Sequence, residues 1–269
     1  MHLIISHRTE YHYDTPCHYA IQTLRLSPRP HDGLAVRSWR VRGESNLALP
    51  DYTDGYGNLV HTHTVDYRHT AAAVLVEGEV VTTDTGGVLT GISETLPPEF
   101  FLRTTQLTEP DSAIRELADG CKAETTLAAM HRLMTAVRDR IDYRVGESEV
   151  TTPAAAALAA AAGVCQDHAH VFVAAARVLN VPARYASGYL SASLDGTDDA
   201  ACHAWAEAFI PELGWVGFDP ANRVCPTEAY IRLAGGLDYN EAAPIRGVRR
   251  DGGVEQLTVR VRVHQDQKQ

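Results

Sequence analysis

The sequence predicts an α+β fold in which a small all-β region precedes a part built from helices and further strands. Short β-type segments fill residues 1–90, apolar residues at helical spacing follow between 111 and 179, and strand patterns return after residue 183. A length of 269 residues allows one large domain or two small ones. We therefore expect a β-sandwich-like region at 1–90, a connecting segment at 91–110 and a second part at 111–269.

The first region is predicted to form a small antiparallel sheet or a sandwich. Its strand candidates are rich in Val, Thr, Tyr and His, and clusters of Pro, Gly, Asp and Asn separate them. These candidates are residues 21–26, 36–41, 59–67 and 73–82. His61 and His63 share a strand face, but the histidines alternate with polar residues, which favours an exposed face over a metal site.

Helices are predicted after the connecting segment, which contains three prolines. The last of these helices is apolar almost all round, so we expect it to be buried. The first predicted helix is capped by Asp111 or Ser112 and ends near Asp119, and the second runs from Thr125 or Thr126 to Ile141. The third has Thr152 as its N-cap and Pro153 as its first residue, and Gly163 ends it. The fourth runs from Cys165 to Leu179.

Strand patterns bounded by turn residues fill the rest of the chain. The predicted strands are Ala183–Leu190, Cys202–Ile210, Trp215–Asp219 and Gln256–His264. The last of them alternates apolar and polar residues, which is typical of a sheet with one exposed face.

Composition excludes several classes of protein. With 45% hydrophobic residues the chain can bury a core, and its formal net charge of −10 disfavours a nucleic-acid partner. Five cysteines without a CxxC pair argue against a disulfide framework and against a cysteine-rich zinc module. The amino terminus does not resemble a secretory signal, and the longest apolar run, at 153–165, is too short to span a membrane. We expect no membrane association and a cytoplasmic location.

Cys165 is the strongest candidate for a reactive residue, because it begins a buried helix. The amide groups and partial positive charge of a helix amino terminus stabilise a thiolate and can hold an oxyanion beside the sulfur. A general base must then come from elsewhere, and His203, followed by Asp219, is the candidate.

The predicted hairpin tests this arrangement by its register. If Ile210 pairs with Gly214, the loop has three residues, Ala221 faces His203, and Asp219 lies diagonally from His203 on the same face. Diagonal neighbours lie roughly 7–8 Å apart at the backbone, which a carboxylate and an imidazole can bridge. A register shifted by one residue would place Asp219 on the wrong face.

Neighbouring residues allow several interpretations. Cys202 should point to the strand face opposite His203 and serve in packing. Asp167 either shapes the site or caps the helix, and Trp205 either lies in the core or walls the cleft. A zinc site formed by Cys165, His168 and His170 is conceivable, but a ligated thiolate would lose its nucleophilicity, so we expect no metal.

Four segments resemble the bacterial transglutaminase-like superfamily, and within it the transglutaminase-like cysteine peptidase group that carries an amino-terminal β region. The match covers about 143–223 and consists of GVCQDHAH at 163–170, VPARYASGY at 181–189, HAWAE at 203–207 and GWVGFDP at 214–220. The resemblance implies a papain-like core with the nucleophile helix packed on an antiparallel sheet. It also implies Cys165 as nucleophile, His203 as general base and acid, and Asp219 as the residue that orients the imidazole, without a cofactor.

Two positions near the nucleophile add expectations from this resemblance. Tyr143 matches an aromatic position of the family and either supplies a hydroxyl to the oxyanion hole or serves in the core. His168 stands where relatives commonly carry an aromatic residue, which indicates either altered substrate contacts or a packing substitution.

The expected function is acyl transfer from an amide in a peptide or protein, with hydrolysis of a peptide or isopeptide bond preferred. The alternatives are amine transfer and a non-catalytic peptide-binding module of the same fold. No calcium loop of the EF-hand type is visible in the sequence. Relatives of the group are often associated with ATP-grasp-type ligase-like proteins, so the resemblance also implies such a partner.

Overall fold

The computed structural model describes residues 1–45, 47–191 and 201–265. The amino-terminal strands are β1 (His2–Ser27), β2 (Leu34–Gly43), β3 (Asp51–Thr53), β4 (Leu59–Val65), β5 (His69–Thr82) and β6 (Val88–Leu89), and two 3-10 turns follow at Pro98–Leu102 and Gln106–Thr108. The central elements are α1 (Ser112–Gly120), α2 (Thr126–Arg140), β7 (Asp142–Tyr143), α3 (Ala154–Ala160), β8 (Ala162–Gly163) and α4 (Cys165–Val178). The last elements are β9 (Ala183–Leu190), β10 (Ala201–Ile210), β11 (Gly214–Phe218), β12 (Tyr230–Gly236), α5 (Tyr239–Ala242), β13 (Ile245–Asp251) and β14 (Glu255–Gln265).

The first sheet is built around β1, which is 26 residues long. Strands β5 and β4 pair antiparallel with β1, and β2 and β3 extend the sheet in the order β2-β5-β1-β4-β3. This confirms the predicted β region. The prediction placed a strand in β1 only from residue 21, whereas alternating burial along β1 begins at Leu3 and Ile5.

The carboxyl-terminal strands return to this first sheet. Strand β13 pairs with the second half of β1 and β14 with its first half, both antiparallel. The predicted division assigned 111–269 to the second part of the chain, but residues 245–265 belong to the amino-terminal sheet. The reason is the length of β1, which leaves room for two further strands along the edge opposite β5 and β4.

The second sheet has the order β12-β9-β10-β11-β6 and carries the helices on one face. Helix α4 crosses this sheet against β9 and β10, and Ala169, Phe172, Val173 and Ala176 are fully buried. Apolar residues of α1, α2 and α3 complete the same core. This arrangement confirms the predicted α+β fold with a buried helix on an antiparallel sheet.

Three of the four predicted helices begin and end within one or two residues of the prediction, and α3 differs. It starts at Ala154, with Pro153 as its N-cap, and it ends at Ala160, because the next residue, Ala161, has a left-handed φ of 53°. Residues Ala162–Gly163 then pair in parallel with Asp142–Tyr143. The stop at Ala161 therefore frees the next two residues to form β8 and brings Tyr143 beside the start of α4.

Buried arginines fasten the connecting segment to the second sheet. Arg177 donates to the carbonyl oxygen of Phe101 at 2.9 Å and to Oγ1 of Thr108 at 2.8 Å. Arg184 pairs with Glu94 at 2.8 Å and with Glu207 at 2.6 Å, and three of these four contacts lie deep in the protein. Because an unpaired buried charge is costly, these contacts fix residues 94–108 in place.

Among the described helices, none has the length and apolar character needed to cross a membrane.

Candidate active site

Cys165 is the first residue of α4, as predicted, and it is half-buried. The amide groups of the first helical turn have no acceptor within the helix, and the helix dipole places partial positive charge at the same end. The sulfur therefore lies where both an anionic thiolate and a developing oxyanion are favoured.

Asp167 caps α4, which is one of the two roles predicted for it. Its Oδ2 atom accepts a hydrogen bond from the Val164 amide at 2.7 Å and another from the Ser148 hydroxyl at 2.5 Å. A Cβ at Gly163 would lie 2.5 Å from that oxygen, so a glycine is needed there. Because Asp167 is 1% exposed and outside the residues that line the cavity beside Cys165, it holds the helix rather than the substrate.

The hairpin formed by β10 and β11 has the predicted register. Ile210 pairs with Gly214, and His203 and Asp219 lie on the same face with Nε2 of His203 2.7 Å from Oδ2 of Asp219. The structure thus brings the two side chains together as the spacing predicts.

Asp219 is fully buried and accepts three hydrogen bonds at one oxygen. Besides His203, the Tyr230 hydroxyl and the Asn222 side-chain amide each donate to Oδ2 at 2.7 Å. Burial by itself would raise the pKa of Asp219, but the hydrogen bond and positive charge of His203, with the two neutral donors, lower it. The carboxylate is therefore charged and fixed in orientation.

His203 lies between Asp219 and Cys165. Burial opposes the protonated imidazole, but the hydrogen bond to Asp219, followed by that to Cys165, outweighs burial and raises the pKa of His203 to about 10. Because Nε2 bonds Asp219, Nδ1 is the nitrogen left to bond the thiol. The arrangement thus favours an imidazolium next to the sulfur at neutral pH.

Trp205 lies on the His203 face of β10 and is 2% exposed. Its ring stacks against His203 with the planes 26° apart and meets Tyr230 edge to face. It does not line the cavity beside Cys165, so of its two predicted roles the structure shows the buried one. Trp205 shields the His203–Asp219 pair from water.

Tyr143 is brought to Cys165 by the parallel pairing of β7 and β8. Its pKa is raised first by burial and then by the charge and hydrogen bonding of the Cys165 thiol, while a hydrogen bond from the Cys165 amide opposes the shift. The hydroxyl therefore lies near both the sulfur and the amide of Cys165. Tyr143 is 46% exposed, so it is not a core residue.

His168 packs against Tyr143 from the interior of the protein. It is fully buried, and its ring nitrogens lie 2.8 Å from the carbonyl oxygen of Val164 and 3.0 Å from that of Ile141. Its ring stacks against Tyr143. Because His168 is fully buried, it does not contact a substrate directly, and of the two predicted possibilities its contacts favour the packing role.

No metal cluster is found in the described parts of the chain. The zinc ligands considered from the sequence are engaged otherwise, since His168 bonds two carbonyl oxygens and His170 accepts from the Tyr239 amide at 3.1 Å. Cys202 was predicted to be buried in packing, but it is exposed and lines the cavity beside Cys165.

Several residues of the site escape prediction from the sequence. Both Asn222 and Tyr230 donate hydrogen bonds to Asp219. Asn222 lies in the turn after β11, and Tyr230 begins β12, a strand that was not among those predicted. Tyr185, whose pKa is raised by burial and then by the charge of Cys165, lines the cavity. A tyrosine in a strand is typical of the core, and the asparagine after Pro220 is the one local signal that could have been read.

Comparison with known proteins agrees with this architecture. A transglutaminase-like superfamily model matches residues 113–220, and a model of the bacterial transglutaminase-like N-terminal region matches residues 3–81. A candidate cysteine protease from Cytophaga hutchinsonii shares the fold, with a TM-score of 0.79 at 19% identity, covering 100% of this chain and 92% of that one.

Relatives among known sequences match either nearly the whole chain or a part of it. An uncharacterized protein of Mycobacterium leprae is 28% identical over 277 residues, which span 96% of this chain and 97% of the relative. A protein-glutamine gamma-glutamyltransferase of Pseudomonas aeruginosa is 30% identical over 100 residues, 34% of this chain and 15% of that protein. The chain thus contains a transglutaminase-like core at residues 113–220, preceded by a bacterial transglutaminase-like N-terminal region at residues 3–81.

Proposed function

We propose that the protein is a cysteine-dependent acyl-transfer enzyme that hydrolyses a peptide or isopeptide bond through Cys165, His203 and Asp219. The observation that carries the proposal is the position of His203, hydrogen-bonded to Asp219 at 2.7 Å on one side and to the thiol on the other. This is the geometry that nucleophilic catalysis by a thiol requires.

The residues suggest a complete cycle. His203 takes the Cys165 proton, and the thiolate attacks the amide carbon, whose oxygen becomes an oxyanion. The imidazolium returns the proton to the leaving nitrogen, the C–N bond breaks, and an acyl thioester with Cys165 remains. His203 then deprotonates a water molecule that attacks the thioester, and the thiolate leaves with release of the acid.

Two groups are placed to stabilise the oxyanion. The Cys165 amide is one donor, at the start of α4. The Tyr143 hydroxyl, which lies beside that amide, is the second donor in this proposal. Asp219 acts through His203 as a positioning residue, because its charge holds the imidazole with Nδ1 toward the sulfur.

Amine transfer is the second candidate, because a protein-glutamine gamma-glutamyltransferase of Pseudomonas aeruginosa is 30% identical to this chain over 100 residues. The two reactions share the thioester and differ only in whether water or an amine accepts the acyl group. A peptide-binding module without catalysis is the third possibility, and the association with an ATP-grasp-type partner remains a prediction.

Mass spectrometry of a mixed peptide pool, including glutamine-containing peptides, with and without methylamine tests the proposal. We expect new carboxyl termini with the wild-type protein and none with Cys165→Ala. Methylamine incorporation as the main product would favour amine transfer. Unchanged peptides in every reaction, or equal products from Cys165→Ala, would contradict a thiol enzyme.

A further inference from the structure

A cavity of about 360 Å³ opens beside Cys165, and the two sheets line it together. Cys165, His203 and Tyr185 face it from the second sheet and α4. The opposite wall comes from the amino-terminal sheet, where Tyr11 of β1 and Leu257 and Val259 of β14 line the same space. The amino-terminal β region therefore forms part of the cleft that contains the candidate nucleophile.

This wall presents apolar side chains to solvent. Leu257 is 56% exposed and Val259 is 47% exposed, and both line the cavity that Cys165 also lines. Exposed apolar groups grouped at a cleft are typical of a surface that another molecule covers. A substrate side chain seated against them would lose its hydration and theirs together.

The cavity lining carries no formal charge apart from the catalytic pair. Among the described residues, no Asp, Glu, Lys or Arg lines it. His7 is neutral, because burial lowers its pKa to about 4, and its two nitrogens bond the Tyr189 and Thr9 hydroxyls at 2.6 and 2.8 Å. A charged substrate side chain entering here would be desolvated without a partner, which is unfavourable.

A second cavity of about 270 Å³ continues the cleft along the amino-terminal sheet. It shares Tyr11, Ile245 and Leu257 with the first cavity and ends at Arg249 and Glu255, which pair at 3.3 Å. The combined groove is longer than one side chain needs, so it fits an extended peptide.

We propose that Leu257 and Val259 of the amino-terminal sheet form a specificity subsite for a large uncharged side chain of a peptide substrate. The side chain is that of the residue whose carbonyl Cys165 attacks, because the cavity begins at the sulfur. This inference rests on the proposed function and assigns the amino-terminal β region a direct part in substrate selection.

Peptidyl chloromethyl ketones carrying Leu, Glu or Lys next to the ketone provide the test. The thiolate displaces chloride and forms a thioether, so labelling of Cys165 is read by mass spectrometry and needs no turnover. We expect the Leu probe to label wild-type Cys165 about 10-fold faster than the Glu and Lys probes, or more.

Leu257→Lys and Val259→Lys should each slow the Leu probe and favour the Glu probe over the Lys probe. Val254→Lys is the matched control, because Val254 is 71% exposed between β13 and β14 and lines neither cavity. Thermal melts confirm that each variant is folded, and the two positions provide independent tests.

Equal rates for the three probes, or no labelling of a Cys165 that still reacts with iodoacetamide, would overturn the subsite. The subsite would also be overturned if the preference for the Leu probe were the same in Leu257→Lys and Val259→Lys as in the control Val254→Lys. Failure of Cys165 to react with iodoacetamide at mildly acidic pH would instead count against the proposed function, so the two failures are distinguishable.

Discussion

The Nε2 atom of His203 lies 2.7 Å from Oδ2 of Asp219, and this contact leaves Nδ1 for the Cys165 thiol. The carboxylate is fixed by Tyr230 and Asn222 as well, so its orientation does not depend on His203 alone. The imidazole of His203 is thus oriented by a carboxylate whose own position is fixed by other residues, as expected for a positioning residue.

Two replacements of Asp219 should distinguish the effect of its negative charge from its effect on the orientation of His203. Asp219→Ala removes the acceptor and should lower kcat by about 10²- to 10⁴-fold, whereas Asp219→Asn, whose oxygen can still accept from Nε2, should lose less. Steady-state kinetics across pH would measure both effects. A purely structural Asp219 would give two variants that lose stability but keep the wild-type pH profile.

The raised pKa of His203 makes stability depend on pH in a stated direction. Below its ordinary pKa of 6.5 both the folded and unfolded states bind the proton, and the contribution of the pair is fully present. Between 6.5 and about 10 only the folded state keeps the proton, so the free energy of unfolding should fall as pH rises.

Urea unfolding of the wild type and of His203→Gln across this pH range would measure that dependence. The wild type should lose stability more steeply with rising pH than the variant does. Parallel slopes for the two proteins would mean that His203 does not carry a raised pKa in the folded state.

Tyr143→Phe removes a hydroxyl that lies near the sulfur and amide of Cys165. If that hydroxyl donates to the oxyanion, kcat should fall by about 10²-fold while KM changes little. Tyr52→Phe, at a 48% exposed position on β3, is the matched control. Unchanged kcat for Tyr143→Phe would leave Tyr143 without a part in the reaction.

Asp167→Ala removes the acceptor of the Val164 amide and the Ser148 hydroxyl. We expect a loss of about 1–2 kcal/mol in the free energy of unfolding, as for other helix caps. Urea denaturation would measure this loss. Ser148→Ala is the milder comparison, because it keeps the hydrogen bond from the Val164 amide to Asp167. Equal stability of wild type and Asp167→Ala would contradict the capping role.

Local spacing predicts the relation of His203 to Asp219 because strand periodicity and a short loop leave one register with both on the same face. The pairing of Ile210 with Gly214 confirms that register. Tyr230 reaches Asp219 only through a later strand on the other side of β9, and no local pattern encodes such a contact.

The first part of β1, before residue 21, was not predicted for a different reason. Its inward positions include His7 and Thr9, which are polar and interrupt the apolar alternation that marks a strand. Their burial depends on hydrogen bonds to each other and to Tyr189, 182 residues along the chain from His7. The pairing of β13 and β14 with β1 is equally distant in sequence, so the origin of the apolar wall in Leu257 and Val259 could not be predicted.

The rate at which iodoacetamide labels Cys165 as a function of pH tests the thiolate and imidazolium couple most directly. The other four cysteines are internal references in the same mass spectrum, and Cys202, which is exposed, is the most accessible of them. We expect rapid labelling of Cys165 already near about pH 6, where an ordinary thiol reacts slowly, and loss of that reactivity in His203→Ala. Labelling that rises only near about pH 8.5, alike in wild type and variant, would contradict Cys165 as the activated nucleophile.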